Sequence, residues 1–414
     1  MVSALAARPD LDPFSPDTLV VAAGKAAAGM LRGLVRGGAH PRALLVVPEG
    51  EDAGSFPSHV EVLRAGHPTP TPGSLASARR VLEEAARLRE GQRLLLLLSG
   101  GASAMLEAPL GGLDAEDLAA THRALVASGL PIAQVNLVRG CLSAVKAGRL
   151  AEAAAPATVT TLAISDVEGD DPAAIGSGPA VPPARSRAAL CAEALDLVRH
   201  CGVPVPETVV AFLSKGASGG DAGDARLRRE PASVPASCDF TVVASVASAV
   251  AAAREALAGL GYDVAPDAGY LRGDTASAAG RVLELVGGAG GRRSGAGPHA
   301  AVLGGETTVA VRCASPGRGG RNLDLAARLA LAFEGRGDVA AVVGGTDGID
   351  GSSRAAGGVV DGGTAARSRR AGLPLEGALA AYDTEPALDA AGDLLVTGPT
   401  GTNVGDLVVV VAAA

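Results

Sequence analysis

The chain has 414 residues, 48% of them hydrophobic and 19% charged, which is the balance of a folded globular protein and excludes a disordered one. Its formal charge is −8 and its basic residues form no long runs, so nucleic acid is not expected as a partner. No stretch reaches the roughly 18 uninterrupted apolar residues of a membrane helix, so no membrane is expected either.

At this length one ordinary core does not suffice, and two domains are expected. The opening MVSALAARPDLDPF lacks a basic stretch followed by an apolar core, so no signal peptide is expected. Residues 18–23 (TLVVAA) read as a buried strand, followed by Gly24, Lys25 and a helix-compatible stretch, the opening of an α/β unit. Strands follow at residues 43–47 and 60–63, then an ordered proline loop containing His67, then a helix over 74–88 with Ser74 as its N-cap. Five consecutive leucines, 94–98, predict a strand buried on both faces, as in a parallel sheet, ending in Ser99-Gly100-Gly101-Ala102-Ser103. Helices are expected over 114–128 and 134–151, and a strand over 158–164 that leads into Ser165-Asp166-Val167-Glu168.

Residues 215–232 are polar and glycine-rich, the best linker, which places a first domain over 1–235 and a second over 236–414. The second series is expected to open with a strand at 241–244 and a helix at 248–260, with a glycine- and arginine-rich loop over 287–298. Strands then read at 300–303, 307–312, 339–343 and 406–411, with a helix over 321–333. Alternating strands and helices give an α/β fold of two Rossmann-like three-layer domains. The five cysteines (Cys141, Cys191, Cys201, Cys238, Cys313) are scattered without C-x-x-C spacing, which points to reduced thiols in a cytoplasmic protein and against zinc.

Several loops carry candidate chemistry. Residues 304–322 hold two glycine pairs, Glu306 and the arginines Arg312, Arg318 and Arg321, and open onto a helix start. Backbone N–H groups, the positive helix end and planar guanidinium forks suit an anionic substrate. Lys25 follows a strand and can reach the sheet's carboxyl edge, although a solvated lysine is the ordinary reading and no Walker A motif is present. Asp166 sits directly after a buried strand, where a carboxylate can meet a ligand or share Mg²⁺ with phosphates. Asp347 and Asp350 lie in a glycine-rich turn, either as ligands or as turn-stabilising groups. Thr397, Thr400, Thr402 and Asn403 suit a nucleotide or sugar hydroxyls, or satisfy a buried turn. No strict G-x-G-x-x-G and no H-E-x-x-H occur. The residues by themselves read as an α/β enzyme for an anionic small molecule and a nucleotide.

Eight segments strengthen this reading when taken together. They are GKAA at Gly24, GHPTPTPGS at Gly66, LSGGASAML at Leu98, ISDVEGDDPAAIGSGP at Ile164, GGETTV at Gly304, GRGGRN at Gly317, GTDGIDG at Gly345 and TGPTGTNVGDL at Thr397. In this order, across nearly the whole chain, they resemble the class II glycerate 2-kinases of the MOFRL family. Two small departures are Ala147 in Lys146-Ala147-Gly148-Arg149, where the family's usual sequence is K-G-G-R, and Ser245 for an asparagine.

The resemblance implies ATP-dependent phosphorylation of D-glycerate at its 2-hydroxyl, with Mg²⁺, in a cleft between two α/β domains. It implies Lys25, Asp166 and Arg318 as catalytic groups, with Arg321, Ser99, Gly100, Gly101, Ser103 and His67 around the substrate. Gly304, Gly305, Glu306, Thr397, Thr400 and Asn403 are expected at the nucleotide, and Asp166 and Asp347 at the metal. Lys25 and Arg318 are expected to face one gap. A homodimer is compatible with this reading. Two competing readings are a hydroxypyruvate reductase using NAD(P)H and a non-catalytic small-acid-binding protein.

Overall fold

A computed structural model describes residues 15–36, 42–219, 237–266, 269–286, 298–313 and 315–413. The chain divides into two compact units between Val243 and Ala244. No helix among the described residues is long and apolar enough to cross a membrane. All five cysteines are free.

The first unit is built on six strands: β1 (Thr18–Ala23), β2 (Arg42–Pro48), β3 (Val60–Ala65), β4 (Arg93–Leu98), β5 (Thr158–Ile164) and β6 (Cys238–Ala244). Their order is β3-β2-β1-β4-β5-β6, and β1 to β5 all pair in parallel. Successive side chains of a strand point to opposite faces, and β4 shows the consequence. Leu94, Leu96 and Leu98 enter one hydrophobic core, while Leu95 and Leu97 enter another on the other face. Each buried leucine contributes about 1.5–3 kcal/mol relative to exposure, which is why an uninterrupted apolar run is stable only between two covering layers. The register pairs Ala23 with both Val46 and Leu98, so the loops that leave β1 and β4 begin side by side.

Three expectations change in this unit. The helix predicted over 74–88 is Pro72–Ala85, with Thr71 as N-cap. Ser74 lies inside its first turn, where its hydroxyl accepts from Thr71 N at 3.1 Å and Gly66 N at 3.0 Å. The single helix over 134–151 is two helices, Ile132–Leu142 and Arg149–Ala154: the first ends where Ser143 turns extended and bridges Pro109, and left-handed Ala147 (φ 51°) and Gly148 (φ 83°) precede the second. The strand expected to open the second series is β6, the edge of the first sheet. Of the expected linker, residues 215–217 end the helix Glu207–Ala217, and 220–232 lie outside the described residues, as do 287–297 of the later loop.

The second unit carries β7 (Asp263–Val264), β8 (Tyr270–Leu271), β9 (His299–Gly305), β10 (Val339–Gly345), β11 (Gly357–Asp361), β12 (Leu394–Leu395) and β13 (Asp406–Ala412). The order is β12-β11-β10-β13-β9-β7, with β8 also pairing β9. Only β7 and β8 run parallel to β9, and the remaining pairings are antiparallel. This corrects the expectation of a second Rossmann-like parallel sheet: the α/β class holds, but the sheet is mixed. The physical sign is that β13 alternates buried and half-buried residues along its length, whereas β1 is buried throughout. The strand expected at 307–312 is absent, leaving a single bridge between Asp274 and Thr308. The helix Arg321–Ala332 packs Leu323, Ala326, Ala327 and Leu329 into one core with Val343, Val408 and Val410.

Candidate active site

In the first unit the loops after β1 and β4 are tied together. Lys25 N donates to Gly100 O at 2.9 Å, and Ala26 N donates to the Ser99 hydroxyl at 3.0 Å. The approach depends on Gly24, whose φ is +120° and where a Cβ would stand 2.5 Å from the Ser99 carbonyl oxygen. Glycine alone combines that backbone with that proximity. Lys25 is half-buried and Ser99 buried, while His67 is exposed and packs its ring against the backbone of Gly101. Ser103 shares a 2.8 Å hydrogen bond with Ser177 through their hydroxyls. Asp166 is half-buried in the loop after β5, where the adjacent Ser165 hydroxyl accepts from Val167 N at 3.2 Å. The sheet therefore brings Lys25, Ser99, Gly100, Gly101, Ser103, His67 and Asp166 to loops that leave the carboxyl ends of its strands, where ligands of open α/β sheets sit.

Beneath this loop lies a group to which the sequence assigned no role. Lys146 is fully buried and donates to Ser103 O at 2.8 Å and to the carboxylate of Glu107, itself 5% exposed. Arg139 also reaches Ser103 O, at 3.4 Å, and stands 3.7 Å from Glu107. Burial pushes the Lys146 ammonium down to about 8, with Glu107 pulling it back up and Arg139 adding to the fall.

In the second unit, Gly304 and Gly305 end β9, paired with Leu407 and Asp406 of β13. Both are buried: Gly304 faces Val246 and Val250, and Gly305 faces the backbone of Leu271. That register sets Asp406 beside Arg321, which donates to it at 2.5 and 3.1 Å and also pairs with Glu306 at 2.7 Å. Burial opposes the Arg321 charge, but the hydrogen bond and charge of Asp406, with Glu306 and Asp350, outweigh it and hold the guanidinium above its usual range. Asn322 donates its side-chain amide to Asp406 at 3.0 Å.

The N-terminus of the helix Arg321–Ala332 is filled from within the protein. Asp350 accepts from Asn322 N at 3.1 Å and Leu323 N at 2.8 Å, and the bare backbone of Gly320 lies against its carboxylate. Burial raises the Asp350 carboxyl to about 6; the two backbone donors oppose the rise, Asp406 adds to it, and Arg321 draws it back.

Arg318 is different. Its side chain is 63% exposed, with Glu385 at 3.5 Å, while its backbone is fixed at both ends. Arg318 N donates to Asp383 at 2.8 Å, and Arg318 O accepts from Glu385 N at 3.0 Å. Arg354 also approaches the buried Glu385, at 3.5 Å. A cavity of about 150 Å³ borders this loop, lined by Val309, Val311, Gly317, Gly319, Ser352 and Tyr382 among others. Asp347 accepts from Ile349 N at 3.2 Å, and its carbonyl accepts from Thr400 N at 3.2 Å. Thr397 donates to Gly398 O at 2.8 Å, and Asn403 accepts from Gly405 N at 3.3 Å, so these polar groups also serve their own turns.

These two sets of loops are what known proteins can be compared with. A model described as a domain of unknown function, DUF4147, matches residues 6–214, and the MOFRL family model matches 299–406. The chain is 34% identical over 394 residues to the D-glycerate 2-kinase of Thermotoga maritima, covering 94% of this chain and 89% of that one. The chain belongs to the DUF4147/MOFRL glycerate kinase family. A crystal structure of glycerate kinase from Thermotoga maritima matches with a TM-score of 0.82 at 32% identity, over 99% of this chain and 94% of that one. Family members do not share one name. A protein of Agrobacterium vitis provisionally named hydroxypyruvate reductase is 38% identical over 355 residues, 84% of this chain and 76% of its own length.

Within this glycerate kinase family chain, sequence reading found the loops and missed their supports. Lys146, Glu107, Asp406, Glu385 and Arg354 lie far in sequence from the residues they touch, and no spacing rule links them. One signal was available: a lysine, an alanine, a glycine and an arginine (146–149) in a stretch read as continuous helix.

Proposed function

We propose that the chain transfers the terminal phosphoryl group of ATP to the 2-hydroxyl of D-glycerate, giving 2-phospho-D-glycerate and ADP. What carries the reading is likeness over nearly the whole chain to proteins named glycerate 2-kinase, together with Lys25 and Arg318 in glycine-flanked loops. Phosphoryl transfer asks the protein mainly for positioning and for neutralising charge. Lys25 and Arg318 take the second task, and the fixed backbone of Arg318 sets where its exposed side chain leaves the loop. Asp166 orients or deprotonates the attacking hydroxyl. Arg321, already paired with Asp406 and Glu306, shapes its loop and is the weaker choice for the glycerate carboxylate.

Mg²⁺ belongs to the same proposal. Among the described residues no three His, Cys, Asp or Glu side chains gather as an all-protein metal cage. Single carboxylates do fit Mg²⁺, which keeps water and is held by one or two of them together with substrate phosphates. Asp166 and Asp347 are the groups that would hold it, and the ion would offset charge on the phosphates.

The test is ADP release on mixing the protein with ATP, Mg²⁺ and D-glycerate, with the phosphorylated position assigned by NMR. Silence with D-glycerate and related hydroxy acids would sink the reading. The name carried by the Agrobacterium vitis protein keeps hydroxypyruvate reduction as a second reading. The sequence lacks a strict dinucleotide fingerprint, and NAD(P)H absorbance with hydroxypyruvate decides between them. ADP release would likewise exclude a non-catalytic binder.

A further inference from the structure

A fully buried lysine needs a reason. Removing an ammonium from water costs several kcal/mol, and a paired buried charge often stabilises no better than apolar residues of the same volume. Lys146 is 0% exposed, and Glu107, its partner, is 5% exposed with Oε1 lacking a hydrogen-bond partner. Core stability alone therefore accounts poorly for this pair. Its other contact is more telling: Lys146 donates to the carbonyl of Ser103, which lies in the short helix Ala102–Met105 that closes the Ser99–Ser103 segment, and Arg139 adds a second, longer bond to that oxygen. Ser103 in turn holds Ser177, a residue at φ 62°.

We propose that Lys146 is a positioning residue for phosphoryl transfer, holding the Ser99–Ser103 loop in its binding shape by a charge-assisted hydrogen bond to the Ser103 carbonyl. This rests on the kinase reading above. Lys146 touches no substrate itself and acts through the loop. The interruption of the helix between Leu142 and Arg149 serves this end, because it leaves Lys146 at the turn where its ammonium meets Ser103, Leu106 and Glu107. Charged and titratable groups near Lys146 are Glu107, Arg139 and, on the helix Ala115–Ala127, His122. With the ammonium near 8, the bond to Ser103 weakens as pH rises through that value.

The experiment uses the full chain and three proteins. Wild type must first release ADP with D-glycerate; silence there overturns the kinase reading, and this proposal with it. The double variant Lys146→Met with Glu107→Gln removes the buried ion pair while the amide oxygen can still accept from the nearby Arg139, so the thermal midpoint is expected to stay near wild type. Its KM for glycerate or ATP is nevertheless expected to rise roughly tenfold or more, the scale of a lost charge-assisted hydrogen bond. The third protein, Glu107→Gln, keeps the lysine–carbonyl bond. Its KM at pH 7 is expected to stay within about threefold, and the alkaline limb of kcat/KM to move to lower pH, because the carboxylate no longer supports the ammonium. Active wild type with an unchanged KM in a folded double variant overturns the positioning role alone. If the double variant fails to fold, the Glu107→Gln profile decides, and an unmoved alkaline limb overturns the proposal.

Discussion

Asp350 caps a helix it does not belong to: its carboxylate accepts from the backbone N–H of Leu323 at 2.8 Å, in the first turn of Arg321–Ala332. The glycine-rich loop before that helix reads in sequence as an anion cradle made of a free helix end and arginines. The helix end is already occupied by an anion of the protein's own, and Arg321 is already paired. Of the other two arginines in the loop, Arg312 is exposed, and Arg318 keeps a side chain 63% exposed beside Glu385.

The capping carboxylate makes stability depend on pH. The Asp350 carboxyl lies at about 6 in the folded state, above the ordinary aspartate value near 4. A group raised on folding adds stability that is complete below its unfolded pKa and is lost as pH rises through the folded one. In metal-free buffer, wild type should therefore lose ground against Asp350→Asn between about pH 4 and pH 7, by on the order of 2–3 kcal/mol. Paired melting curves at several pH values check this; a difference constant with pH would remove the assigned cause.

Removing the exposed arginine should separate chemistry from folding. Arg318→Ala is expected to lower kcat by about 10³-fold or more, as for other arginines that clamp a transferring phosphoryl group. Its melting temperature should move little, since the side chain is 63% exposed. Arg354→Ala, which removes the other arginine near Glu385, should leave kcat within about tenfold. Equal losses in the two variants would mean that general local charge matters, and not Arg318 as such.

The pair Arg321–Asp406 should behave in the opposite way. Asp406 is 4% exposed, so Arg321→Met strands a buried carboxylate and is expected to cost about 3–5 kcal/mol. Adding Asp406→Asn should recover a large part of that loss, because the stranded charge is gone. Urea titrations of the two single variants and the double variant give the coupling, and additivity would show that the pair is not an energetic unit.

What could be read from the chain follows from the distance over which each interaction acts. β1 and β5 were legible residue for residue, and β4 nearly so, because burial on both faces favours runs of apolar and β-branched residues, the threonines of β5 included. β13 is just as apolar, yet it is antiparallel to both neighbours. Its half-buried positions are filled by Leu and Val, which erases the alternation that would have marked it. The candidate loops were legible through their glycines and charges. Their supports were not: Asp350 serves Leu323 across 27 positions and Lys146 serves Ser103 across 43, and only the folded sheets bring such residues together.

The meeting of β1 and β4 gives the most local prediction. At Gly24 a methyl group would need a φ of +120° and would stand 2.3 Å from the Ser99 hydroxyl and 2.5 Å from the Ser99 carbonyl oxygen, so backbone as well as side chain would have to move. At Gly50 a methyl group would also need positive φ, +83°, but would meet nothing within 4 Å. Gly50→Ala thus isolates the backbone cost, about 1–2 kcal/mol. Gly24→Ala adds the clash and should cost at least a further 1–3 kcal/mol. It should also push the β1 loop off Ser99 and displace Lys25, so turnover should fall further than stability predicts. Denaturant midpoints for both variants, with kcat measured where each is fully folded, give the answer. If Gly24→Ala matches Gly50→Ala in both measurements, the close approach of the two loops is not what presents Lys25.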